Sequence, residues 1–334
     1  MESGHRSKRT KRFFITGGIV LIALCLLSLR CGSVYIPFFD FFSSLFRKSD
    51  SVYSVIIHSV RIPETASALL SGAGLGISGH LLQNVTDNKM ASPNLIGVSQ
   101  GAGFGVIMML YFFPSLSPFT PVFAFIGSFA STLIIVALSR KIGFTKANVI
   151  LVGIAFSSVL SAGISLISLL DSDVLVSYNA FSIGSLTDIP LSRLAIPCVM
   201  ISICFVLAVM FSKKCDMLLL GDDVAASLGE NPSSVRLFFM LLASICSGAV
   251  VSFAGLLGFV GLMSPHIARL FVKENSKVMI PACSVTGCCL VLLSHIISKV
   301  LFAPSNIPVG IVLSSAGALF FLGILLFKGG KGHA

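Results

Sequence analysis

Residues 237–268 read LFFMLLASICSGAVVSFAGLLGFVGLMSPHIA, a run of 32 residues without one lysine, arginine, aspartate or glutamate. As a single helix rising 1.5 Å per residue it would measure about 48 Å, against about 30 Å of hydrocarbon in a bilayer. It is therefore long for one crossing and short for two full ones. The flanks decide: Arg236 precedes the run, and Arg269, Lys273 and Lys277 follow it. Basic residues gather on the cytoplasmic side of membrane proteins, so both ends lie on that side and the chain crosses an even number of times. A turn near Gly255–Gly258 followed by a short eighth helix over 258–272 meets this condition.

The pattern extends in both directions. Of 334 residues, 55% are hydrophobic and 11% charged, where a soluble domain carries about 25% charged residues. Apolar segments fall at 13–29, 65–86, 95–113, 119–139, 147–170, 194–212, 237–257, 258–272, 278–298 and 307–327. Lipid offers the backbone no hydrogen bonds, so each is read as a helix. Asn94 to Ser139 holds no charge for 46 residues, and Pro114-Ser-Leu-Ser-Pro118 supplies the turn that makes it two helices. The fold class is thus all-α and polytopic, with about ten transmembrane helices. Residues 1–12 and 328–334 are cytoplasmic tails, and 13–327 form one transmembrane domain. With that count and a cytoplasmic N-terminus, 17 Lys and Arg lie on the cytoplasmic side and six opposite: Arg30, Arg47, Lys48, Arg61, Arg193 and Lys299.

Several function classes drop out. A net charge of +10 without a soluble domain to display it is a topology signal and not a nucleic-acid surface. Arg6–Arg12 with the apolar stretch behind it resembles a signal peptide, but no A-x-A-like site follows, so it reads as a retained first helix. The nine cysteines show no metal or haem spacing, and no cofactor or metal site is expected. The thirteen Asp and Glu lie outside the apolar segments, which argues against an ion-coupled carrier, the alternative reading, because such carriers need ionisable groups within the membrane. No GxxxxGK[ST] phosphate loop is present, so any ATPase is a separate polypeptide.

Few side chains remain that could carry chemistry. His80 and His295 are the main ionisable groups inside spans, each either a pathway contact or a hydrogen bond between helices. Small residues crowd 71–79 and imply close helix packing. The loop Cys215–Asn231, CDMLLLGDDVAASLGEN, predicts a short helix with Asp222 or Asp223 at its N-terminus and Gly229 at its end. A compact helix between two spans suits a docking knob. Arg61–Gly79 and Arg236–Gly255 echo one another, each opening on arginine and running through small residues, and inverted repeats are common in transporters.

Taken together, Arg61-Ile-Pro63, Ser78-Gly-His-Leu-Leu-Gln83, Pro93–Gly103 (PNLIGVSQGAG), Gly221–Gly229 (GDDVAASLG), Gly258–Arg269 (GFVGLMSPHIAR) and Ile307-Pro-Val-Gly310 resemble the FecCD-type permeases of type II ABC importers for iron-siderophores, haem and cobalamin. The resemblance implies a ten-helix subunit of the type II importer permease fold, located in the inner membrane with both termini cytoplasmic. It implies a second permease copy or paralogue, two ATPase subunits, a substrate-binding protein, and a path along the subunit interface. By the same resemblance Gly221, Asp222, Asp223, Ala225, Ala226, Leu228 and Gly229 form the ATPase-coupling helix. Arg61 and Lys299 would meet acidic residues of the binding protein, and His80, Gln83 and His295 are candidate pathway residues. The chain departs from the family at Glu64, where an arginine is usual; at Asn88-Lys-Met-Ala91 in place of Asn-Pro-Leu-Ala; at His295-Ile-Ile-Ser-Lys299 in place of Asp-x-x-x-Arg; and at Tyr178 near a usual aromatic.

Overall fold

Caps and breakers in the sequence set the helix ends. Thr145 accepts from the Asn148 amide at 3.2 Å and opens α6 (Lys146–Leu170). Asn231, followed by Pro232, accepts from the Ser234 amide at 3.2 Å and opens α11 (Pro232–Ala254). Asn275 caps α13 (Ser276–Val300) through the Lys277 amide at 2.9 Å. The remaining elements are α1 (Glu2–Arg30), α2 (Val52–Ile56) leading through a π-helical turn (Ile57–Arg61) into α3 (Ile62–Thr86), α4 (Val98–Phe112), α5 (Thr120–Lys141), α7 (Ser172–Ile183), α8 (Leu191–Met210), α9 (Ser212–Met217), α10 (Asp222–Ser227), α12 (Val260–Arg269) and α14 (Val309–Gly329). This computed structural model describes residues 2–32, 34, 36, 37, 43, 51–94, 96–301 and 306–329. Arg47, Lys48 and most of the C-terminal tail lie outside them.

Each of the ten expected spans has its helix, and the decisive run divides at 255–258, between α11 and α12. Gly255 sits at φ 71°, and a Cβ there would lie 2.3 Å from the Phe181 carbonyl oxygen; only glycine permits that turn. The ten-residue α12 is about 15 Å long, half a crossing. Among the described residues six helices are long and apolar enough to cross a membrane (α1, α5 with the 3₁₀ turn before it, α6, α8, α11 and α13), with α4 and α14 as shorter apolar helices. Two differences from the sequence reading concern the ends. Residues 2–12, expected as a tail, are helical and continue α1: no proline interrupts them, and Glu2, Arg6, Lys8, Arg9, Lys11 and Arg12 favour helix enough to offset Gly4. The link after α6 holds the unforeseen α7, opened by Asp171, whose carboxylate accepts the Asp173 and Val174 amides at 2.9 and 3.1 Å.

The centre is α3, packed against α13, α11, α12 and α8. Its small residues make that possible. A Cβ at Gly72 would stand 2.4 Å from the Gly287 carbonyl of α13, and one at Gly79 only 1.8 Å from the Gly261 carbonyl of α12. Helices in lipid associate by such backbone approach and dispersion, not by hydrophobic expulsion. Ser78 donates to the Ala243 carbonyl at 2.7 Å, and Thr132 to Ser244 at 2.8 Å, fastening α11 to α3 and α5. The most apolar stretch of α11 is 67% buried and that of α1 only 6%. The first is core and the second periphery.

Candidate functional site at the basic end of the bundle

One end of the bundle gathers the C-termini of α3, α5 and α12 and the N-termini of α6, α11 and α13, with Lys89, Arg140, Lys141, Lys146, Lys213, Lys214, Arg236, Arg269, Lys273 and Lys277 among them. Here α9, a 3₁₀ turn (Leu218–Leu220) and α10 form a knob. Gly221 at φ 102° and Gly229 at φ 85° bracket α10, and a Cβ at either would touch nothing within 4 Å. Both glycines are needed for backbone conformation alone.

The knob is fastened on its inner side. Asp222 does not cap α10 as the sequence suggests; its carboxylate turns inward and accepts two hydrogen bonds from the Arg236 guanidinium at 2.8 and 3.0 Å. Lys214 pairs with Glu230 at 2.9 Å, and Asp216 accepts from the Ser276 amide at 3.0 Å, tying the knob to α13. Outward it offers Leu219, Leu220, Val224, Ala226 and Leu228, all exposed. Ala225, expected on the docking face, is buried at 1%: at its phase of the helix it faces the chain's own interior. Val224 takes that place. Only the helix phase could have indicated it, and six residues are too few to fix a phase from sequence.

At the opposite end the sequence expectation is corrected. Arg61 and Lys299 do not present charge outward; they are exposed by only 2% and 5%. Arg61 donates to the carbonyls of Leu29 and Arg30 at 2.9 and 2.6 Å and of Val34 at 2.5 Å, closing the C-terminus of α1. Lys299 pairs with Glu64, and His295 Nε2 lies 3.7 Å from the same carboxylate. Glu64, expected outside the spans, is in the first turn of α3 and 3% exposed. The reason is electrostatic: a charge among packed apolar helices is tolerable only when paired or bonded to carbonyl dipoles.

The candidate pathway residues are separated. His80 and Gln83 line a cavity of about 280 Å³ at the basic end, with Asn84, Asp87, Lys89 and Arg269 around it. His80 Nε2 and the Asn84 amide both reach Ser276 Oγ, at 3.1 and 2.9 Å, while neither amide atom of Gln83 meets a hydrogen-bond partner among the described residues. His295 sits nineteen residues beyond Ser276 along α13, about 28 Å away. Tyr178 of α7 packs beside Ile107, Ile164 and Val174.

A core of glycine-packed apolar helices, with a braced knob on its basic end, defines a multi-pass membrane transport subunit. The chain belongs to the FecCD transport family, whose sequence model matches residues 20–327. It is 32% identical over 330 residues to the iron-uptake system permease protein FeuB of Bacillus subtilis, covering 96% of this chain and 97% of that one. It is 30% identical over 316 residues to the hemin transport system permease protein HmuU of Yersinia pestis, at 92% and 93% coverage. Among solved structures, a chain described as an inward-facing conformation of a metal-chelate type ABC transporter superposes with a TM-score of 0.84 at 26% identity, over 95% of this chain and 99% of that one.

Proposed function

We propose that this chain is the permease subunit of an ATP-driven importer for an iron-siderophore, haem or cobalamin-type complex. It works beside a second permease copy or paralogue in the cytoplasmic membrane, with both termini in the cytoplasm. Two ATPase subunits dock, one on the knob of each permease subunit, and a substrate-binding protein delivers cargo at the opposite end. The observation that carries this reading is the knob itself: Val224 and Ala226 of α10, with Leu228 just past its end, are exposed apolar side chains on either side of the buried Ala225, on a helix braced from behind by Asp222. A surface helix whose apolar side faces away from its own protein is built for a partner. The binding protein is met by groups other than Arg61 and Lys299, which are engaged inside the chain.

The ion-coupled alternative has one feature in its favour, the buried Glu64 carboxylate, but Lys299 occupies it. Reconstitution separates the two. Vesicles holding the permease, ATPase and binding protein accumulate a ferric siderophore or haem only when ATP is on the ATPase side. Uptake driven by a proton or sodium gradient without ATP overturns the proposal.

A further inference from the structure

Among the described residues Arg236 is the largest fully buried side chain, and it stands where three elements meet. It belongs to α11. From there one Nη donates to both carboxylate oxygens of Asp222 on α10, and the other donates to the Phe144 carbonyl in the link between α5 and α6. Its guanidinium also lies over the Phe144 ring, 5.5 Å from the centroid, with Arg140 on the same ring at 5.7 Å. The contacts are directional. Asp222 remains 42% exposed on its side chain while Arg236 is 1% exposed, so the carboxylate reaches inward from the docking knob to a group the bundle already holds.

We infer that Arg236 is the positioning residue that carries displacement of the knob into the membrane helices. The inference rests on the reading of α10 as the ATPase-docking helix and adds the route by which its movement is passed on. A partner pressing on Val224, Ala226 and Leu228 pushes α10 as a unit, because its two flanking glycines isolate it from the adjoining backbone. The bond pair to Asp222 then pulls or pushes the guanidinium. Its planar fork delivers the movement at once to α11, which packs on α3, α5 and α8, and to the start of α6. Lysine has a single ammonium on a flexible stem and cannot hold the carboxylate and the Phe144 carbonyl in one fixed geometry. Among the described residues the other hydrogen-bond and ion-pair ties of the knob do not reach the α5–α6 link: Lys214–Glu230 closes the loop on itself, Cys215 meets Asn84 of α3, and Asp216 meets the α13 amide.

The test uses the reconstituted transporter with its ATPase and binding protein, and it reads substrate imported per ATP hydrolysed. Arg236→Gln assembles with the ATPase and hydrolyses ATP, and its yield of substrate per ATP falls about tenfold, the scale of one charge-assisted hydrogen bond. Arg236→Lys recovers only part of it. Asp222→Asn lowers the same ratio, and combining it with Arg236→Gln adds little, because both remove one linkage. A purely structural role would lower the amount of assembled complex and leave the ratio untouched; that result overturns the inference. Should Arg236→Gln fail to fold, Asp222→Asn decides alone, with an unchanged ratio counting against the inference. The docking reading is judged separately by Ala226→Arg. If that variant assembles and transports normally, the reading of α10 falls. If it fails while the Arg236 and Asp222 variants keep the wild-type ratio, only the transmission route falls.

Discussion

Consider what happens when Lys299 is replaced by methionine. The change keeps an unbranched side chain, one atom shorter, and removes its charge, leaving the Glu64 carboxylate, 4% exposed on its side chain, with His295 at 3.7 Å as its one remaining ion-pair neighbour among the described residues and Arg61 farther off. Removing one partner of a buried ion pair costs about 3–5 kcal/mol, because the remaining charge has lost both water and counterion. Glu64→Gln strands the ammonium instead and costs a similar amount. Replacing both partners together leaves no charge to compensate, so the double variant returns to within about 1 kcal/mol of wild type. The assay is a double-mutant cycle on detergent-solubilised protein, following the unfolding midpoint of each variant. Binding-protein association is measured on the double variant at low and high salt. Both residues are internal, so its on-rate and salt dependence should match those of wild type. Singles as stable as wild type, or a double no better than its worse parent, would refute the buried pair, and a slowed association would put the charges back on the docking surface.

Three further outcomes follow from the same geometry. Gly72→Ala places a methyl 2.4 Å from the Gly287 carbonyl, which forces α3 and α13 apart and lowers the unfolding midpoint by the equivalent of about 1–3 kcal/mol; Gly323→Ala, with nothing within 4 Å of the added carbon, serves as the neutral control. Ala226→Arg should leave insertion and the unfolding midpoint intact while abolishing co-purification of the ATPase, whereas Ala225→Arg, at a site 1% exposed, should reduce both. Gln83→Leu removes an amide that has no hydrogen-bond partner among the described residues, so stability should hold within about 1 kcal/mol; ATP-driven uptake then shows whether the cavity at the basic end serves the path, and unchanged uptake would remove Gln83 from it.

The amino-acid sequence by itself determined which segments are apolar enough to be helices and where the chain breaks between them. That information is one-dimensional: a bilayer requires apolar length, and Pro114–Pro118, Gly255 and the basic flanks punctuate it irrespective of what packs beside them. The motifs were equally legible, because Gly79, Gly255 and Gly310 stand where another backbone comes within 2.5 Å of a would-be Cβ, a requirement that only glycine meets. What the tertiary structure decided is the direction in which each charged or small side chain faces and what it meets there. Arg61 and Lys299 read as outer charges until the neighbouring carbonyls and Glu64 turned them inward, and Ala225 and Ala226 are indistinguishable in sequence although one is buried and the other exposed. Arg236 finds Phe144 across 92 residues of chain. Composition fixes that a charge must be compensated in an apolar interior, but only the packing of helices against one another settles which group does it.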